Sequence, residues 1–232
     1  MAGCLRAVPE ADIGEVSAPR FAAALFDVDG TLLDSTDYVI GAIEHVLRLH
    51  GRTPPLRTEI GIVLGPALAD CYRVLAPGLD ASVLCAEHRA WQKERVQTMA
   101  IHPYPHAINT LRTLRAAGVR CGAVTARSKV SSLGTLENAG FGGLLEVTLS
   151  AEDTPRTKPH PDTLLLALKL MELSPAEAVY VGDTESDILA GRAAGMVTVG
   201  VTYGFFGEAI AASKPDHLIG DIAELTSLLL GV

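Results

Sequence analysis

Cysteine is scarce and dispersed: Cys4, Cys71, Cys85 and Cys121 stand alone, with no Cys-x-x-Cys pair and no neighbouring histidine. Four scattered thiols in a chain of this size make no disulfide framework. They are read as small buried apolar residues in a reducing, cytoplasmic compartment. A basic excess is also missing. The formal net charge is −8, which argues against non-specific nucleic-acid binding, since that depends on a positive surface. It leaves anionic substrates open, because a local cluster with a metal can reverse the field inside a cleft. No apolar run approaches the ~20 residues of a membrane helix. The opening residues place Glu10, Asp12 and Glu15 among alanine and proline where a signal peptide would be apolar. Residues 1–20 are therefore expected to be a loosely ordered extension. There are no repeats and no low-complexity tracts.

What is present is enough for a full core. The chain has 232 residues, 48% hydrophobic and 20% charged, suited to an α/β domain with room for a smaller insertion. Residues 21–35 read Phe-Ala-Ala-Ala-Leu-Phe-Asp-Val-Asp-Gly-Thr-Leu-Leu-Asp-Ser. The run from Phe21 to Phe26 is apolar on both faces, as in a strand buried within a parallel sheet. It stops at Asp27, at the strand end where open α/β sheets place their ligands. Asp27 and Asp29 are two apart and share a side of an ideal strand, and Gly30 permits the turn that gathers them around one point. Converging carboxylates repel unless a cation or a proton lies between them, which suggests a hard divalent ion such as Mg²⁺. A calcium loop counted from Asp27 would need Gly and Glu where Leu32 and Tyr38 stand, and is rejected.

From residue 36 to 103 the pattern is helical, with no convincing strand. Ile40, Ile43, Val46 and Leu47 mark one helix, Ala67–Leu75 a second and Ala81–Ala100 a third. From residue 104 helix and strand alternate. Strands are expected over Val119–Val124, Leu144–Leu149, Ala178–Val181, Met196–Val201 and His217–Ile219. Between and after them, helices are expected around Ile108–Leu114, Ser131–Ala139, Leu164–Met171, Glu185–Ala194 and Ile222–Leu230. Such alternation predicts a doubly wound, Rossmann-like parallel sheet with right-handed crossovers. The expected division is a core of residues 21–35 and 104–232, interrupted by a helical cap of residues 36–103.

Four strands are followed by a polar group: Asp27, Thr125, Lys158 and Asp183. Loops after parallel strands share one edge of the sheet, so these residues can meet although far apart in sequence. Taken singly each has an ordinary explanation as a turn residue, a solvated lysine or a helix cap. Taken in order, all at one edge, they point to a site.

These stretches resemble the four motifs of the haloacid dehalogenase superfamily, in its phosphoglycolate phosphatase-like branch. They are Asp27-Val-Asp-Gly-Thr-Leu-Leu-Asp-Ser35, Thr125-Ala-Arg127, Lys158-Pro-His-Pro161 and Gly182-Asp-Thr-Glu-Ser-Asp187. One departure stands out: Ala126-Arg127 occupies positions where many such phosphatases carry Asn-Lys. The resemblance implies that Asp27 is a nucleophile forming an aspartyl-phosphate, and that Asp29 is the general acid and base. It implies that Thr125 and Lys158 hold the phosphoryl group, with Gly30, Thr31 and Ala126 adding to substrate binding. Mg²⁺ would be held by Asp27, the backbone carbonyl of Asp29 and Asp183, with Asp187 orienting a metal-bound water or serving as a further ligand. The implied function is Mg²⁺-dependent hydrolysis of a small phosphorylated metabolite such as 2-phosphoglycolate, by a monomer or homodimer without nucleic-acid or membrane partners. Alternatives on the same fold are a pyrophosphatase or a phosphosugar mutase, and, outside catalysis, a phosphoryl-binding regulator. Arg57, Arg73 and the loop 62–66 are candidate substrate contacts within the cap. His102 and His106 are four apart, but the prolines flanking Tyr104 spoil a helical zinc pair.

Overall fold

A computed structural model describes residues 19–96 and 98–231. Most of the expected N-terminal extension, residues 1–18 with Cys4, lies outside them. Where the description begins, the Arg20 amide donates to the Leu229 carbonyl.

Six parallel strands form the sheet: β1 (Ala23–Phe26), β4 (Arg120–Val124), β5 (Val147–Leu149), β6 (Ala178–Gly182), β7 (Val197–Val201) and β8 (His217–Ile219). Their spatial order is β5-β4-β1-β6-β7-β8. After β1 the chain builds outward through β4 and β5, then crosses back and builds through β6, β7 and β8. The reversal falls between β1 and β6, which opens a crevice beyond their C-terminal ends. Side chains alternate along β1. Ala24 and Phe26 face a core with α5 (Ala107–Ala116), α6 (Lys129–Asn138) and α9 (Glu224–Leu230). Ala23 and Leu25 face α7 (Asp162–Leu170) and α8 (Glu185–Ala194) on the other side. Both faces of β1 are therefore covered, which is why its sequence is apolar throughout.

The segment between β1 and β4 holds four helices: α1 (Thr36–Leu49), α2 (Arg57–Gly61), α3 (Leu68–Leu75) and α4 (Ala81–Arg95). Ile40, Ile43, Val46 and Leu47 of α1 pack with Tyr72, Leu84 and Cys85 in a hydrophobic cluster separate from the two beside the sheet. Tyr72 Oη and His88 Nδ1 sit 3.0 Å apart inside it.

The expectation of a strand-free insert needs one correction. β2 (Leu33–Asp34) and β3 (His102–Pro103) pair antiparallel where the chain leaves and re-enters the core. Two residues on each side are too few to show a period. Three other boundaries also move inward. β1 starts at Ala23 rather than Phe21, β5 at Val147 rather than Leu144, and α4 ends at Arg95 rather than Ala100. Cys71, Cys85 and Cys121 are free and buried. Among the described residues no helix is long and apolar enough to cross a membrane.

Candidate active site

Asp27 lies at the end of β1 and Asp183 at the end of β6, the two strands flanking the crevice. Lys158 reaches the same place from the loop after β5. Its Nζ donates at 2.6 Å to Asp27 Oδ1 and at 2.6 Å to Asp187 Oδ1, and at 3.1 Å to Tyr180 Oη. Lys158 is buried and follows no element of its own. A cis peptide bond joins it to Pro159.

Asp187 is the acidic member of a capping box at the start of α8. Its Oδ2 accepts from the amide and hydroxyl of Thr184, at 3.1 and 2.6 Å. Its Oδ1 accepts from Lys158 and, at 3.0 Å, from Tyr180 Oη. One carboxylate thus starts a helix and fixes the lysine. Asp183 is fully buried. It accepts from the Phe205 amide at 2.7 Å and from Thr31 Oγ1 at 3.4 Å. Glycines clear the space around it. A Cβ on Gly30 would lie 2.2 Å from Asp183 Oδ2, and one on Gly204 would lie 2.3 Å from Asp183 Cβ. Gly30 also has φ +87°, a conformation that suits glycine.

Asp29 faces a different partner. Arg127 forks it, with Nε 2.5 Å from Oδ2 and Nη2 2.6 Å from Oδ1, and Ser35 Oγ donates to Oδ1 at 2.5 Å. Arg127 also lies with its guanidinium 4.9 Å from the ring centre of Tyr38, on α1 of the insert. Its backbone amide donates to Thr125 Oγ1 at 3.1 Å.

The electrostatics divide the two aspartates of the first motif. Burial pushes the Asp27 carboxyl up to about 7, with Asp187 raising it further and Lys158 opposing. Asp183 is driven up by burial and by the charge of Asp27. For Asp29 burial acts upward too, but the Arg127 charge and hydrogen bonds outweigh it and hold the carboxyl below the usual range. Asp29 is therefore ionised, while Asp27 and Asp183 resist full charge.

Asp27, Asp183 and Asp187 each offer one oxygen, all within 4.8 Å of one another. Four carboxylates at this edge face two cations, Lys158 and Arg127. Full ionisation leaves two negative charges, the amount one divalent ion cancels. Ser186, between Asp183 and Asp187, has a buried hydroxyl with no hydrogen-bond partner. The donor set is all oxygen, as hard cations prefer. These residues fit a hard divalent ion.

Residues 24–201 match the haloacid dehalogenase-like hydrolase family. The chain belongs to that family. It is 32% identical over 206 residues to pyrophosphatase PpaX of Bacillus pumilus, covering 88% of this chain and 94% of that protein. Its fold matches a protein from Bacteroides fragilis assigned to the haloacid dehalogenase-like hydrolases, with TM-score 0.80 and 28% identity, over 88% of this chain and 99% of the other. A predicted phosphoglycolate phosphatase from Haemophilus somnus shares the fold at TM-score 0.78 and 24% identity, over 90% and 98%.

Within this haloacid dehalogenase-like framework, the structure gathers the expected residues unevenly. Asp27, Lys158, Asp183 and Asp187 converge, with Gly30 and Thr31 against Asp183. Thr125 is buried at the end of β4, and Ala126 is exposed beside it. The side chain of Asp29 is not in the carboxylate cluster; Arg127 and Ser35 hold it instead. Arg57 pairs with Glu44 and Asp37, and Arg73 with Asp70, all on the insert's surface. Those pairings occupy both guanidiniums with carboxylates of the insert itself. His106 pairs with Asp221. Sequence reasoning missed Tyr180, Ser35 and Phe205. Tyr180 stands on the same face of β6 as Ala178 and Gly182, and an aromatic hydroxyl in a buried run is itself a signal that a polar partner is near.

Proposed function

We propose that this protein is a Mg²⁺-dependent phosphatase that hydrolyses small phosphate monoesters of the 2-phosphoglycolate kind through an aspartyl-phosphate. One observation carries the reading: Asp27 stands at the switch point of the sheet with Lys158 and Asp183 converging on it. That convergence supports Asp27 as the nucleophile, Lys158 as the cation that neutralises the phosphate and Asp183 as a metal ligand.

Asp27 attacks phosphorus while the bond to the leaving oxygen breaks, and Asp29 in its protonated form supplies that oxygen's proton. Water then attacks the aspartyl-phosphate, gives its proton to the Asp29 carboxylate, and returns Asp27. Arg127 favours the Asp29 carboxylate, the form the second half uses; the proton that Asp29 passes on in the first half enters with the phosphate ester, whose monoanion carries one. A positioned acid–base group contributes roughly 10²–10⁴-fold. Lys158 neutralises phosphoryl oxygens while restraining Asp27, and Thr125 donates from the end of β4. Asp27, Asp183 and Asp187 with the Asp29 carbonyl would hold Mg²⁺, which when bound polarises the phosphoryl oxygens as a Lewis acid. The helices over this edge exclude water and bulk, favouring small substrates over phosphoproteins.

Pyrophosphate is the second reading, favoured by the PpaX name of the B. pumilus relative. Phosphate release from p-nitrophenyl phosphate with and without Mg²⁺ tests the chemistry. A panel of 2-phosphoglycolate, pyrophosphate and sugar phosphates, with Asp27→Asn as blank, then tests the substrate. Mg²⁺-independent turnover, or turnover that survives Asp27→Asn, would overturn the reading.

A further inference from the structure

We infer that Arg127 is the residue that selects substrates bearing a second anionic group beside the phosphate ester, and that Asp29 keeps its place until one arrives. The inference rests on the phosphatase reading and names the substrate class for it.

Arg127 follows β4 by three residues, at the seam between sheet and insert. Its side chain is only 8% exposed and that of Asp29 16%. Three sides of the guanidinium are fixed. Asp29 takes Nε and Nη2, Thr135 Oγ1 accepts from Nη1 at 3.3 Å, and the Tyr38 ring covers its plane. A planar fork of this kind matches a carboxylate or a phosphate with two parallel hydrogen bonds. The Asp29 carboxylate shows that an oxyanion fits there.

Lys158 does not take that part, because it serves the phosphoryl group and sits between Asp27 and Asp187. The insert's Arg57 and Arg73 are paired on its surface. Among the described residues Arg127 is therefore the guanidinium beside the reacting carboxylates. Asp29 must reach the leaving oxygen to act, yet both its oxygens face Arg127. A leaving group with its own oxyanion close to the ester oxygen resolves this by exchange. Its anion takes the fork, and Asp29 is released toward the oxygen it serves. A neutral leaving group offers nothing in return and leaves Asp29 bound. Two sources share this chemistry, the carboxylate of a phosphorylated hydroxy acid and the second phosphate of a diphosphate.

The test compares 2-phosphoglycolate and pyrophosphate with ethyl phosphate, which lacks the second anion. kcat and KM are measured with Mg²⁺ for the wild type, Arg127→Lys and Arg127→Met, with thermal midpoints recorded for each. The wild type is expected to prefer a two-anion substrate. Arg127→Met is expected to cut that preference by roughly 10–100-fold, the value of a charged hydrogen-bond pair, mostly through KM. Arg127→Lys, which keeps charge but not the fork, is expected to restore part of it. Loss for pyrophosphate alone assigns the fork to phosphate, loss for 2-phosphoglycolate alone to carboxylate, and either supports the inference. An equal fall in kcat for all three compounds would mean that Arg127 only positions Asp29, and would overturn it. So would a wild type with no preference, or an Arg127→Lys variant of normal midpoint and unchanged selectivity. Folded wild type that hydrolyses none of the three overturns the phosphatase reading itself, a result distinct from activity without selectivity.

Discussion

A Cβ placed on Gly61 would stand 2.2 Å from the carbonyl oxygen of Phe205, so the insert and the loop after β7 meet there backbone to backbone. The amide of that same Phe205 holds Asp183. The end of α2 is thus one residue removed from a carboxylate of the site. Gly61→Ala should push α2 outward and lower kcat/KM by about 10²-fold, the usual effect of ångström-scale misplacement. Gly134→Ala is the control. Nothing lies within 4 Å of a Cβ there, so that exposed helical site should gain stability by roughly 0.5–1 kcal/mol. Steady-state kinetics of both variants decide it.

Lys158→Met should remove nearly all turnover and also weaken the fold. Methionine keeps the length of the side chain but leaves Asp27 and Asp187 buried without their cation. Breaking one partner of a buried pair costs about 3–5 kcal/mol. Part of that loss should return when Mg²⁺ is added, since a cation near these carboxylates replaces the missing charge. Thermal midpoints with and without Mg²⁺ measure both effects.

The metal-free protein should lose stability as pH rises, contrary to the behaviour of a salt-bridged carboxylate. Burial lifts Asp27 from the ordinary range near 4 to about 7, and Asp183 moves in the same direction. A group with a raised folded-state pKa contributes its stability in full below the unfolded value. That contribution is lost as pH climbs through the folded value. Mg²⁺ should therefore raise the midpoint more at pH 8 than at pH 5. At one hundred times its Kd the ion adds about 2.7 kcal/mol, or roughly 5–10 °C for a chain of this size. Equal shifts at the two pH values would contradict the assignment.

The insert should fail first in acid. Burial pushes His88 down to about 4, and it lies beside Tyr72 in the insert's own core. A depressed histidine gives stability that is complete above its unfolded value near 6.5 and is lost as pH falls toward 4. Trp91, the chain's single tryptophan, sits on α4 and reports on this region. Its fluorescence should change between pH 6 and pH 4 before far-ultraviolet circular dichroism does.

What the sequence showed and what it concealed follow from the range of the forces involved. The apolar run to Phe26 and the abrupt Asp27 describe a strand covered on both faces, and that pattern is local. The order of Thr125, Lys158 and Asp183 after successive strands was legible because parallel sheets bring such loops to one edge. The Arg127–Asp29 pair spans 98 positions and joins the loops that follow the neighbouring strands β1 and β4, which no periodicity records. α2, five residues between Pro54-Pro55 and Gly65, is too short for an amphipathic stripe. The capping box of Thr184 and Asp187 was within reach of local reasoning, yet Asp187 was read only in relation to the metal, as a ligand or as the holder of a metal-bound water. Its hold on Lys158 depends on a loop from elsewhere in the chain.

The ribbon of Leu33–Asp34 with His102–Pro103 has a consequence for how this protein can be altered. The chain departs from the sheet and returns to it through neighbouring, hydrogen-bonded positions. The ends of the intervening segment stay together whatever its length. A helical segment of different size or sequence, grafted between residues 35 and 101, would leave the strand order where it is, and would have to rebuild the contacts of Tyr38 with Arg127 and of Gly61 with Phe205. The sheet and the segment inserted into it are thereby separable parts, and the second is open to exchange by cutting at a single doorway.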